Sequence, residues 1–198
     1  AWDFLENNKI NQELLKCRLR KACGKEIVAN EERIRSWIYK NRGNFSQVME
    51  SPLENAPLIS LAIENSAIPE NPFKLSEKEA KEIGYDATCE NEVFLGYYNE
   101  PRLIYTAPEF RFGRYKASNR RTVHIGIDIF APAEVPIFAP LDGEIIAIEN
   151  RTNGLDYGGM IILKHKTDDN DIFYSLYGHL NPNFSKLNIV GRKIKKGE

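Results

Sequence analysis

The side chains with the clearest chemical potential are an imidazole and a carboxylate, His124 and Asp128, four positions apart in residues 121–130. Imidazole nitrogen and carboxylate oxygen both suit zinc, which in catalytic sites takes three protein ligands and leaves one position for water. Bound zinc lowers the pKa of that water to about 7, which provides a nucleophile at neutral pH. Any single histidine is more often a hydrogen-bonded structural residue, so the pair, rather than either residue alone, indicates a zinc site in a hydrolase.

The stretch that carries this pair alternates as a β-strand does. Its aliphatic face consists of Val123, Ile125, Ile127 and Ile129. We predict that this face packs into a core while His124 and Asp128 point the other way, about 13 Å apart along a flat strand. The two can bind one ion only if the strand curls. Gly126 leaves space between them and allows a kink.

Two further histidines lie in the same part of the chain. His179 ends a second predicted strand and follows a glycine, so it could reach into a groove as a proton shuttle or transition-state donor. Tyr177 shares its face. For His165, next to a polar turn, a structural role is favoured. The roles of His165 and Tyr177 depend on strand register, which the sequence leaves open.

Composition bounds the class of protein. The 198 residues are 42% hydrophobic and 11% aromatic, enough for a folded core. A net charge of -1 gives no electrostatic reason to expect nucleic acid or an anionic membrane as a partner. No apolar run approaches the about 20 residues that cross a bilayer, and no export signal opens the sequence, so we expect a cytoplasmic protein. Three cysteines without metal or redox spacing fit a reducing compartment.

Periodicity predicts an α+β protein, mainly an antiparallel β-sandwich or partly closed barrel behind a small helical and irregular leader. Helices are expected over 12–23, over 30–42, and from a capping box at Ser76 to about residue 84. Strands are expected over 58–63, 122–130, 135–139, 143–149, 159–165 and 171–177. The predicted domains are a helical leader over 1–75, an aromatic-rich connector over 76–119, and a β domain over 120–198.

Four segments of the β domain, in this order, resemble the lysostaphin/LytM-type zinc endopeptidases. They are residues 121–128, 139–145, 157–163 and 176–180. The resemblance covers about 120–198 and implies a β-sandwich groove in which His124 and Asp128 bind zinc and His179 is a catalytic histidine beside the metal. It also implies peptide cross-links of peptidoglycan as the usual substrates.

The sequence departs from that family in two places. The family's third zinc ligand belongs to a later His-x-His motif, and these residues reach Glu198 before any such motif. Two protein ligands are too few for a tight site, so we expect weak or no catalysis from this segment. Glu134 stands where the family usually has glycine, so the turn there could differ.

A narrower resemblance joins residues 99–105 with residues 120–124. These are similar to the middle segment of bacterial multidomain proteins, in which a phosphotransferase-like kinase domain precedes, and a class III pyridoxal-phosphate aminotransferase follows, a peptidase-like domain. It implies that the chain is a central segment covalently fused to those domains. Two functions stay open: a zinc metallopeptidase if its site is completed beyond residue 198, or a non-catalytic spacer or ligand-binding module.

Overall fold

The computed structural model describes residues 30–62, 93–106, 110–112, 119–120, 123–151, 156–183 and 189–198, and the single positions 22, 76 and 78. Apart from those single positions, the helices predicted over 12–23 and from Ser76 to residue 84 lie outside the described residues, as do all three cysteines. No helix within the described ranges is long and apolar enough to cross a bilayer.

The chain divides into two compact units. One comprises Ala1–Asn44 with Lys166–Phe173, and the other comprises Phe45–His165 with Tyr174–Glu198.

Helix α1, Glu31–Asn41, belongs to the first unit. It confirms the helix predicted over 30–42, and Ile34, Trp37 and Ile38 share a half-buried face as the spacing predicts. Asn30 precedes the helix, but it has a left-handed φ of 67° and its side chain makes no capping hydrogen bond. The predicted side-chain cap is therefore wrong, because capping needs an extended backbone at that position.

Helix α1 packs against residues 166–173 of the same unit through polar and aromatic contacts. Arg33 donates two hydrogen bonds to the Asp171 carboxylate, from Nε at 2.9 Å and from Nη2 at 2.6 Å. The indole Nε1 of Trp37 donates to Asp168 at 2.9 Å, and its ring lies 5.9 Å from that of Phe173. A forked ion pair and a ring contact therefore hold the helix on the turn.

A four-stranded antiparallel sheet forms the largest β element. It contains β8 (Gly143–Arg151), β9 (Gly158–Lys166), β10 (Ile172–Leu180) and β11 (Lys193–Ile194), in the order β10-β9-β8-β11. The three long strands confirm those predicted over 143–149, 159–165 and 171–177. Its core consists of Ala139, Ile145, Leu163 and Ile194. Residues 135–139 are not a strand, contrary to the prediction.

Smaller sheets carry the residues of chemical interest. Their strands are β1 (Leu58–Ile59), β2 (Phe94–Gly96), β3 (Glu100–Pro101), β4 (Arg111–Phe112), β5 (Asn119–Arg120), β6 (Val123–His124) and β7 (Ile129–Phe130). Strand β2 lies between β1, which is parallel to it, and β7, which is antiparallel, while β3 pairs with β6 and β4 with β5. Ile59 and Leu61 are buried as their alternation predicts, although the strand itself spans only Leu58–Ile59.

The helix and these mainly antiparallel sheets confirm the α+β class. The sandwich arrangement of the sheets stays a prediction.

The stretch predicted as one strand over 122–130 is interrupted. Strand β6 pairs with β3, whereas β7 pairs with β2, so the chain leaves one sheet and enters another between them. The intervening Ile125 and Ile127 are 74% and 63% exposed. The prediction that all four aliphatic residues pack into a core is therefore wrong for these two, because the segment that carries them is a loop without strand pairing on either side.

Candidate metal centre

The loop between β6 and β7 brings the predicted metal ligands together. Nε2 of His124 lies 3.6 Å from Oδ1 of Asp128, and both side chains are partly exposed. Two ligands that each lie about 2.0–2.2 Å from a tetrahedral zinc ion are themselves about 3.4 Å apart, so the observed separation fits a shared ion. The curl that the sequence required is present.

Gly126 provides the space for this approach. A Cβ atom at this position would lie 3.2 Å from Cε1 and 3.3 Å from Nε2 of His124. Its φ is outside the left-handed region, so the absence of a side chain, rather than an unusual backbone, is what the site uses. Only glycine leaves the imidazole in this position without displacement.

Two strands that precede the pair in sequence hold its backbone. In the β3–β6 register, Glu100 lies opposite His124. On the other side, the amide of Gly96 at the end of β2 donates a hydrogen bond of 2.9 Å to the carbonyl oxygen of Asp128. Each candidate ligand is thus fixed by a different upstream strand.

The Asp128 carboxylate also has a cationic partner. Nη1 of Arg102 lies 2.5 Å from Oδ2 of Asp128, and Nε of Arg102 lies 2.8 Å from Oε2 of Glu100. The Arg102 and Glu100 side chains are only 9% and 4% exposed. Glu100 is anchored in turn by the amide of Leu61, which donates to Oε1 at 2.8 Å.

Burial and charged partners act on the ionisation of Arg102 in opposite directions. Burial acts to lower the pKa of the guanidinium, but the Asp128 charge and the hydrogen bonds to Glu100 and Asp128 outweigh burial and raise that pKa above its ordinary value. Arg102 is therefore a permanent cation beside the candidate ligand.

His179 is exposed near the end of β10 and has a left-handed φ of 57°. Its amide donates a hydrogen bond of 2.6 Å to the carbonyl oxygen of Tyr157. Two residues later, the Asn181 side chain donates to Oε1 of Glu134 at 2.7 Å. This bond links the end of β10 to the turn that follows β7.

Glu134 adopts a φ of 69°. The turn thus keeps a left-handed residue although the position holds glutamate rather than glycine.

The part of the chain that the structure describes contains no group of three or more His, Cys, Asp or Glu side chains that could hold a metal ion. His124 and Asp128 are therefore a pair, and the metal and catalytic roles assigned to them and to His179 stay predictions.

A protein-family model matches the second part of the chain. Residues 122–198 match the model of peptidase family M23. The match supports a LytM-like metallopeptidase-type domain over these residues, and M23 peptidases are typically zinc-dependent. No curated protein and no solved structure matches the chain. The kinase and aminotransferase context expected from the sequence has no support in these comparisons and stays a prediction.

Within the M23 domain, His165 has a partner on each ring nitrogen. Nδ1 lies 2.8 Å from the carbonyl oxygen of Asp142, and Nε2 lies 2.8 Å from Oγ of Ser175, whose hydroxyl is 3.2 Å from that of Tyr177. His165 is 2% exposed, and burial raises the pKa of the Tyr177 phenol. This chain of polar groups agrees with the structural role favoured for His165.

Sequence reasoning missed Glu100 and Arg102, which lie outside the family match. A signal was present, because residues two apart in an extended segment share one face, and Glu100 and Arg102 flank Pro101 in such a way. Nothing in their spacing relates them to Asp128, because that contact depends on the pairing of β3 with β6.

Proposed function

We propose that the M23 domain is a metallopeptidase-type hydrolase whose zinc ion is held by His124 and Asp128. The observation that supports this is the 3.6 Å separation of Nε2 and Oδ1, which suits two ligands of one tetrahedral ion. The chemistry that zinc supplies in such sites is polarisation of water and of the substrate carbonyl. The family match favours a peptide substrate, and peptidoglycan-like cross-links are the class we propose.

His179 is proposed to transfer a proton to or from the reacting peptide. Its imidazole is exposed and therefore accessible to a substrate, and it stands on a left-handed backbone that only a minority of non-glycine residues adopt. Backbone strain of this kind concentrates at functional sites. The hydrogen bond between Asn181 and Glu134 supports an arrangement in which the end of β10 lies near the loop of the metal pair.

A catalytic zinc site needs a third protein ligand. Since the described residues supply two, we propose that the third comes from elsewhere and that these 198 residues alone hydrolyse peptides weakly or not at all. His124 and Asp128 should still bind zinc, with lower affinity than a complete site.

Zinc titration followed through the imidazole nitrogens tests this assignment. The chain contains only three histidines, so each ¹⁵N signal can be assigned by substitution. Zn²⁺ should shift the Nε2 signal of His124, and Asp128→Asn should weaken that response. His179→Asn, which retains a residue tolerant of left-handed φ, is the matched control and should leave zinc binding intact.

The activity arm uses the same variants on cross-linked peptidoglycan peptides, with the protein extended by a His-x-His segment. His124→Ala should lose both zinc and hydrolysis, whereas His179→Asn should lose hydrolysis alone. If Zn²⁺ leaves the His124 signals unchanged in both the 198-residue and the extended proteins, the hydrolase proposal is wrong.

A non-catalytic ligand-binding or spacer module is the second candidate. The observation that favours it is the ion pair between Arg102 and Asp128, which gives this carboxylate a cationic partner without a metal. This candidate predicts that the extended protein stays metal-free while its histidines remain in place.

A further inference from the structure

Three charged side chains, Glu100, Arg102 and Asp128, are joined by consecutive ion pairs, and the last of them is a member of the candidate metal pair. Glu100 binds Nε of Arg102, and Nη1 of Arg102 binds Oδ2 of Asp128. Ser60 and Leu61 fix the far end, because the Ser60 hydroxyl and the Leu61 amide both contact Oε1 of Glu100, at 3.2 and 2.8 Å. The guanidinium is therefore held at two of its nitrogens and has little freedom to turn.

The two oxygens of Asp128 have different partners. Oδ2 is bound by Arg102, whereas Oδ1 faces Nε2 of His124 at 3.6 Å. A carboxylate with one oxygen anchored in this way cannot rotate about its Cβ–Cγ bond without breaking a charge-assisted hydrogen bond. Arg102 thus binds Oδ2 and leaves Oδ1, the oxygen that faces His124, available to the ion.

Gly96 allows this arrangement. A Cβ atom there would lie 3.2 Å from Cβ of Asp128 and 3.3 Å from Nη2 of Arg102. Strand β2 therefore presents bare backbone to both groups. The close approach of Arg102 to Asp128 therefore depends on the absence of a side chain at Gly96.

The charges leave room for a cation. Two carboxylates and one guanidinium, all partly or fully buried, sum to one negative charge beside His124. Buried charge without compensation is unfavourable, so a divalent ion between Oδ1 and Nε2 would be attracted despite the nearby Arg102.

We propose that Arg102 is a positioning residue for the zinc ligand Asp128: anchored by Glu100, it holds Oδ2 and keeps Oδ1 directed at the ion shared with His124. The inference rests on the proposed function. It assigns a part in the metal site to residues that precede the M23 match. Partners that orient metal ligands change metal affinity about 10–100-fold when removed.

The test compares zinc affinities of the full 198-residue chain with those of three variants. Arg102→Met removes the charge and keeps the aliphatic stem, Arg102→Lys keeps the charge and loses the fork, and Arg151→Met is the control. Arg151 also pairs with a nearby glutamate, Glu149, but is exposed and outside the site. Zn²⁺ is titrated while the Nε2 signal of His124 is followed, and amide spectra report the folded fraction.

We expect about 10–100-fold weaker zinc binding in folded Arg102→Met, a smaller loss in Arg102→Lys, and no change in Arg151→Met. Unchanged affinity in the folded Arg102 variants would show a purely structural role, and tighter affinity would show that Arg102 competes with the ion; either result overturns the proposal. If both Arg102 variants unfold, Glu100→Gln decides by the same criterion. A wild-type chain that shows no zinc response at His124 instead overturns the proposed function.

Discussion

Removing the Ser175 hydroxyl should lower the free energy of unfolding by more than the loss of one small side-chain group suggests. Nδ1 of His165 faces a carbonyl oxygen at 2.8 Å, so this nitrogen carries the proton and donates. In the neutral ring Nε2 is then an acceptor, and the Ser175 hydroxyl at 2.8 Å is placed to donate to it. Ser175→Ala takes away that donor inside a site where the imidazole is 2% exposed.

The backbone of β8 packs closely against the His165 ring. A Cβ atom on Gly143 would lie only 3.1 Å from Cε1 and Nδ1, which shows how closely the backbone of β8 covers the imidazole. A buried polar atom that loses its partner costs about 1–3 kcal/mol of folding free energy. Tyr177→Phe should cost less, about 0.5–1.5 kcal/mol, because the phenol is half-buried and water can replace part of the contact.

Urea denaturation monitored by far-UV circular dichroism measures these differences, provided that the m-value stays constant. The double variant should be less destabilised than the sum of the single variants, because both changes act on one hydroxyl pair. Tyr174→Phe on the same strand is the matched control; its side chain is 59% exposed, and its effect should stay within about 0.5 kcal/mol. A Ser175→Ala effect no larger than that of the control would refute the reasoning.

Three further outcomes follow from single positions. Gly126→Ala should weaken the zinc response of His124 in the imidazole titration, because the added methyl group contacts the ring. The urea midpoint should stay nearly unchanged, because the loop is exposed. An unaltered zinc response would contradict the role given to this glycine. Glu134→Gly should raise the free energy of unfolding by about 0.5–1 kcal/mol, because glycine adopts a φ of 69° without strain. A lower free energy of unfolding would show that the lost hydrogen bond from Asn181 matters more than the relieved backbone strain. Arg33 holds the pKa of Asp171 below its ordinary value, so their contact is complete above about pH 4 and is lost as pH falls through the folded-state pKa. Tryptophan fluorescence from helix α1 should report this loss. Arg33→Met should reduce the pH response without removing it, because the Trp37 indole also donates to the Asp168 carboxylate.

The predictable part of the fold consists of the long segments bounded by turn residues. Strands β8, β9 and β10 each span nine residues, and the apolar runs between turn residues predict all three. The apolar face of helix α1 predicts its position. The prediction that the Asn30 side chain caps the helix is wrong, because Asn30 has a left-handed conformation that the sequence preference for capping does not reveal.

The short strands were beyond such reasoning. Two-residue strands such as β3 and β6 carry no measurable period, and their pairing is decided by tertiary contacts. The alternation of Ile125 and Ile127 with polar neighbours was a genuine strand pattern that two competing sheet partners overrode. The metal pair could be named because histidine and aspartate have characteristic chemistry, whereas the Arg102 contact required knowledge of which strand lies beside which.

The pairing of β3 with β6 determines where a fusion protein that contains this domain should be joined. A gene fusion joined at residue 122, where the M23 match begins, would carry His124 and Asp128 into its new host. It would leave behind the strand opposite His124 and the arginine bound to Asp128. On the role proposed for Arg102, a fusion protein that is to keep the metal site needs a junction upstream of β1, so that it includes Ser60 and Leu61 with the Glu100 side chain that they bind.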